Sequence, residues 1–238
     1  MSTAIPLTVN GAHCTNQHDL LVEILKRAGG KGCETFKPPG SSSKIADVYF
    51  ERENWIFEVK SLETDRPATK SIHEQVGERL AKDSPKFGGP IVFGSRRVDI
   101  TSLPEPTARN VMRIIGMNVQ DAVKAANAQI KATRKLLDAP NAVGCIAVIC
   151  PPHELDHDVI PWLVADAIRN GKNSAVQCVL AAHTPLLAPF GRGSGNSSVI
   201  LQGRDGVRPP SEMVEAIGTA WGEIHGQPIV RGFPPKSR

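Results

Sequence analysis

The chain has 238 residues, 40% of them hydrophobic and 22% charged, which is ordinary for a soluble globular protein able to bury a sizeable core. No apolar run approaches the roughly 18 residues that a membrane span needs, and Met1 to Gly11 lacks the positive and apolar regions of a secretory signal. These features predict a soluble, cytoplasmic protein with no membrane partner, and a net charge of +4 tolerates a nucleic-acid partner without demanding one.

The five cysteines (Cys14, Cys33, Cys145, Cys150 and Cys178) are odd in number, scattered, and form no C-x-x-C pair. Buried free thiols in a reducing compartment fit that pattern better than disulfides or a structural zinc site.

In chain order, Asn16 reads as an N-cap with Asp19 three positions on, opening a helix over 17–28. Leu20, Leu21, Ile24, Leu25 and Ala28 form its apolar stripe, Gly29-Gly30 ends it, and Glu23 sits at the stripe's edge. Three extended segments come next. Glu34 to Lys37 is a weak strand stopped by Pro38-Pro39-Gly40. Ile45 to Phe50 and Trp55 to Ser61 are strong ones, rich in β-branched and aromatic residues, joined through Glu51-Arg52-Glu53-Asn54 as a hairpin. Residues 62–118 read as an insertion with weak signals. It holds a charged helix over Ser71 to Ala81, a short strand at Pro90 to Phe93, a turn at Gly94-Ser95-Arg96-Arg97 and a loop marked by Pro104 and Pro106.

A long helix over 119–138 carries Val119, Val123, Ala126, Ile130 and Leu137 at helical spacing. The nearly continuous apolar run Val143 to Cys150 reads as a strand buried on both faces. Pro161 to Ile168 is helical, ended by Asn170-Gly171, and Ala175 to Ala182 is a second buried strand. The alternation predicts an α/β domain over 12–184 with a mixed sheet. Residues 185–238 read as a partly flexible C-terminal extension. It comprises a Gly/Ser loop at Gly191 to Ser198, a helix over Ser211 to Ile224 after Pro209-Pro210, and a frayed tail from Gly232 to Arg238.

The chemistry concentrates at two strands. In Trp55-Ile56-Phe57-Glu58-Val59-Lys60, alternation puts Trp55, Phe57 and Val59 on one face and Glu58 and Lys60 on the other. Glutamate and lysine are normally excluded from such apolar strands unless paired or coordinating something. Asp47 lies in the preceding strand between Ala46 and Val48, where pairing brings it close to Glu58. Two converging carboxylates repel as anions, and a cation resolves this. Oxygen ligands suit Mg²⁺, with Mn²⁺ as a substitute, and such a metal polarises a phosphoryl group and activates a water. Lys60 then orients that water or offsets transition-state charge, so the spacing asks for metal-assisted phosphodiester hydrolysis.

Asp47, a hairpin, then Glu58-Val59-Lys60 resembles the D…(D/E)-x-K signature of the PD-(D/E)XK nuclease superfamily, the restriction-endonuclease-like fold. The resemblance covers roughly residues 17 to 150 apart from 62–118. It implies an α-β-β-β-α-β core, matched here by helix 17–28, three strands between 34 and 61, helix 119–138 and strand 143–150. It further implies a Mg²⁺-dependent deoxyribonuclease, an endonuclease acting in restriction, repair or phage defence, with DNA as partner. Many members place a metal-binding or orienting glutamate on the first helix, which Glu23 matches by position. Some carry a supporting glutamine on the later helix, and Gln129 is a loose match. Ala46 stands where the motif has proline. A homodimer would serve cutting of both strands.

Blander readings stand beside this one. Glu58 and Lys60 would be an ordinary neighbour pair on a solvent-facing hairpin, or the fold would persist as a catalytically inactive nucleic-acid-binding or assembly subunit. His153-Glu154-Leu155-Asp156-His157 matches the zinc-protease string H-E-x-x-H. Pro151-Pro152 before it, Pro161 after it and charged Asp156 and Asp158 argue for a loop or single turn instead of the stable helix that chemistry needs. Gly191-Arg192-Gly193-Ser194-Gly195 lacks the lysine of a phosphate-binding loop. Arg96-Arg97 and the basic residues of helix 119–138 read as surface charge that could meet phosphates.

Overall fold

A computed structural model describes residues 7–9, 12–62, 70–83, 103–150, 159–184, 186, 197–204 and 206–226. Strands β1 (Leu7–Val9) and β2 (Ala12–Cys14) form a small antiparallel pair. The Asn16 carboxamide oxygen accepts from Asp19 N at 2.9 Å and caps α1 (Gln17–Arg27), which ends at Ala28 with Gly29 at φ +104°. That left-handed backbone favours glycine and closes the helix where the sequence predicts.

Six strands form one mixed sheet in sequential order among the described residues: β3 (Lys31–Gly32), β4 (Val48–Phe50), β5 (Trp55–Ser61), β6 (Val143–Cys150), β7 (Cys178–His183) and β8 (Ser198–Gly203). β5, β6 and β7 run parallel, and every other neighbouring pair is antiparallel. The intervening helices are α2 (Lys70–Asp83), α3 (Glu105–Ile115), α4 (Met117–Leu136) and α5 (Val159–Ile168), and α6 (Ser211–His225) closes the chain.

Parallel strands added in one direction need crossovers of one hand, so the connecting helices fall on one face. Accordingly α4 and α5 bury Val119, Val123, Ala126, Ile130, Ile160, Leu163 and Val164 against Ile56, Ile146, Val148, Val179 and Ala181. On the other face α1 and α6 bury Leu20, Leu21, Ile24, Leu25, Ile217 and Trp221 against Phe57, Val59, Cys145, Ala147 and Leu180. The result is a helix–sheet–helix sandwich, an α/β fold with a mixed sheet. β6 is buried on both faces, as its continuous apolar run predicts.

Four expectations change. Glu34 to Lys37 is not a strand: Cys33–Phe36 is a 3-10 turn, and β3 precedes it at Lys31–Gly32. The Thr35 hydroxyl donates to Gly32 O at 2.7 Å and holds that turn. The strand expected over Ile45 to Phe50 starts only at Val48, because the backbone of Asp47 divides between two neighbours. Its N–H donates to Phe57 O at 3.1 Å and its carbonyl accepts from Cys33 N at 2.8 Å. The loop expected around Pro104 and Pro106 is the start of α3, since proline fits a helix's first turn, where no intrahelical N–H donor is required. Residues 198–225, within the stretch read as an extension, supply β8 and α6 to the same sheet and core.

The strand expected at Pro90 to Phe93, the turn at Gly94 to Arg97 and the tail from Gly232 lie outside the described residues. Of Gly191 to Ser198 only Ser197 and Ser198 are described, and Ser198 already belongs to β8. No helix among the described residues is long and apolar enough to cross a membrane. All five cysteines are buried and free.

Candidate functional site

The site forms where β4 and β5 part beneath α4. Alternation along β5 sends Trp55, Phe57 and Val59 into the α1–α6 core and turns Glu58 and Lys60 to the α4 side with Ile56. At Asp47 the chain leaves the ladder, and its carboxylate completes the pairing: Oδ2 accepts from Val59 N at 2.7 Å. A side chain thereby replaces a backbone acceptor, which fixes Asp47 beside the strand that carries Glu58 and Lys60.

Glu58 is 1% exposed. Its Oε1 accepts from Lys60 Nζ at 2.5 Å, while Oε2 is buried with no hydrogen-bond partner among the described residues. Burial, reinforced by the Asp47 charge, pushes the Glu58 carboxyl up to about 8, with Lys60 and His18 opposing. Lys60 also donates to Gln129 Oε1 at 3.0 Å, and Gln129 Nε2 donates to Ile45 O at 3.2 Å. Gln129 thus links α4 to the lysine and to the segment entering Asp47.

Glu23 falls elsewhere on α1. It is half-buried and pairs with Arg27 one turn along, at 2.9 Å. The α1 side chain that meets Asp47 is His18, whose Nε2 lies 3.4 Å from Asp47 Oδ1. Five residues separate the two, about 140° around a helix, so both cannot face one point. The hydrogen bond to Asp47 lifts the His18 imidazole above its ordinary value, with partial burial opposing. Nothing in the local sequence distinguishes His18 from a solvated helix residue, and only the placement of the helix reveals it. Thr133 is also missing from the sequence reading, although it lies one turn beyond Gln129 at a core-facing position, a usable signal.

Among the described residues no group of three or more His, Cys, Asp and Glu side chains is arranged to hold a metal ion. The donor chemistry nevertheless fits a hard divalent cation: two carboxylates, one retaining a buried oxygen that no donor among the described residues satisfies. Asp47 and Glu58 are the residues that would hold it, with His18 at the rim. His153 to His157, Arg96-Arg97 and Gly191 to Gly195 lie outside the described residues.

The chain matches no protein-family model, no curated protein and no solved structure.

Proposed function

We propose that the chain is a metal-dependent nuclease of the PD-(D/E)XK type that hydrolyses phosphodiester bonds in DNA. The observation that carries this reading is a buried, half-satisfied Glu58 carboxyl beside Asp47, with Lys60 on the same strand face. A buried ionisable group with an unpartnered oxygen is expensive in a merely structural role and is a frequent mark of a functional site. The order α1, β3–β5, α4, β6 supports the restriction-endonuclease-like arrangement.

Mg²⁺ or Mn²⁺ held by Asp47 and Glu58 would supply positive charge to a scissile phosphate oxygen and make a water more acidic. Lys60 presents an ammonium at the same point, positioned to orient the attacking water and to offset charge developing on the phosphate. Gln129 restrains the lysine, and the Val59 N–H restrains Asp47. His18 meets Asp47 from α1, the place where Glu23 is expected from the sequence to assist. A homodimer would serve cleavage of both strands of a duplex. A cytoplasmic setting agrees with five free buried thiols.

The test is cleavage of supercoiled, linear and single-stranded DNA with Mg²⁺, with Mn²⁺ and with chelator. Metal-dependent cutting should fall by about a hundredfold or more in Lys60→Ala and vanish in Asp47→Ala. Undiminished cutting by both variants would place the activity elsewhere. DNA binding without any cutting would identify an inactive binding subunit on the same fold.

A further inference from the structure

Ile45 and Ala46 lead the chain into Asp47, and both are buried. Buried backbone groups need partners, and α4 supplies them at two successive atoms. Gln129 Nε2 donates to Ile45 O at 3.2 Å, and Ala46 N donates to Thr133 Oγ1 at 2.7 Å. Thr133 is fully buried and gives its own proton to Gln129 O at 2.9 Å. A hydroxyl has one proton, so committing it to α4's own backbone leaves the oxygen as an acceptor for Ala46. Gln129 and Thr133 stand one helical turn apart and share a face, and together they grip the segment immediately before Asp47.

That grip matters because Ile45 and Ala46 precede β4, while Asp47 is tied through its N–H to Phe57 O and through its carbonyl to Cys33 N. One residue beyond Ala46, the Asp47 carboxylate must reach Val59 N. A displacement at Ala46 passes through a single peptide unit to the carboxylate. We propose that Thr133 is a positioning residue of this site: by holding the Ala46 N–H, its hydroxyl sets where the Asp47 carboxylate stands against Glu58. The consequence for cation binding rests on the nuclease reading, and the positioning itself does not.

Two readouts separate them: hydrogen-exchange protection of the Val59 amide, and Mn²⁺ affinity by calorimetry with the metal salt alone. Thr133→Val keeps the shape and deletes the acceptor. It should lower Val59 protection selectively relative to the β6 amides, and weaken Mn²⁺ binding by about tenfold. Thr133→Ser keeps the hydroxyl and should retain both properties. Thermal melting identifies a variant that has merely lost stability, for which β6 protection would fall as well. Unchanged Val59 protection in Thr133→Val overturns the proposal. So does failure of Thr133→Ser to retain that protection in a folded protein. Selective loss of Val59 protection with no Mn²⁺ binding even by wild type would support the positioning and overturn the nuclease reading.

Discussion

Glu58 carries the largest electrostatic consequence of any single side chain in the site. Its carboxyl is pushed up to about 8 by burial and by Asp47, whereas an exposed glutamate titrates near about 4.3. Between those values the native state holds a proton that the unfolded chain has released. Stability conferred relative to an uncharged side chain therefore falls as pH rises through that window. Glu58→Gln abolishes the titration. The melting temperature of the variant minus that of wild type should grow between pH 5 and pH 8 and then level off. His18 acts in the same direction through its charged form: its raised imidazole stabilises when protonated beside Asp47, and that contribution also fades as pH rises. His18 is present in both proteins, so its effect largely cancels in the difference. A difference independent of pH would mean that Glu58 is ionised in the native protein throughout. The same proton competes with any cation, so Mn²⁺ affinity should weaken as pH drops below about 8.

At the scale of elements, periodicity made the scaffold legible. Val119, Val123, Ala126 and Ile130 are all fully buried, and the apolar run 143–150 is β6. The face of β5 that carries Glu58 and Lys60 came from simple alternation. What alternation could not show is where pairing stops. Ile45 to Phe50 has strand composition throughout, yet Asp47 abandons the ladder because its carbonyl serves Cys33 in the 3-10 turn and its carboxylate serves β5. The helix α3 was hidden by prolines that mark its first turn. His18 was invisible for another reason: it acts through a contact between elements far apart in sequence, as does Thr133, of which only the core-facing spacing could be read. The seat of α4 on the sheet depends on such a contact at Gly144. A Cβ there would stand 2.1 Å from Ala175 O and 2.7 Å from Ile130 Cγ2. The Ala175 segment is itself fastened to α4 by the Ala175 N–H, which donates to Asn127 Oδ1 at 2.9 Å, so it cannot simply retreat. Gly144→Ala should therefore destabilise by about 1–3 kcal/mol in urea unfolding. Unchanged stability would mean that α4 shifts freely on the sheet, contrary to the fixed seat that Gln129 and Thr133 need.

At the scale of the whole molecule, the C-terminal third belongs to the support of the site. A Gly/Ser-rich stretch at 191–198 reads as a flexible loop, and composition alone makes residues 185–238 a partly flexible extension of the domain. The register of β8 against β7 and the packing of α6 on α1 argue otherwise. Met213, Ile217, Trp221 and Ile224 complete the core in which Leu20, Leu21, Ile24 and Leu25 are buried. Trp221 stacks on His225 with ring centroids 4.2 Å apart, and His225 Nε2 lies 2.8 Å from the Thr184 hydroxyl. Gln17, at the start of α1, donates to Thr184 O at 3.3 Å, so this network reaches the helix that presents His18 to Asp47. Trp221→Ala should lower stability by about 3–5 kcal/mol, the usual range for deleting a buried large aromatic. A chain ending after Gly203 should fail to fold, because one whole face of α1 loses its cover. Soluble, cooperatively melting protein from that shorter chain, with the His18 imidazole still titrating above its ordinary value, would show that α6 is an appendage. Loss of cooperative melting would establish that α6 is integral to the unit that holds Asp47 and Glu58 together.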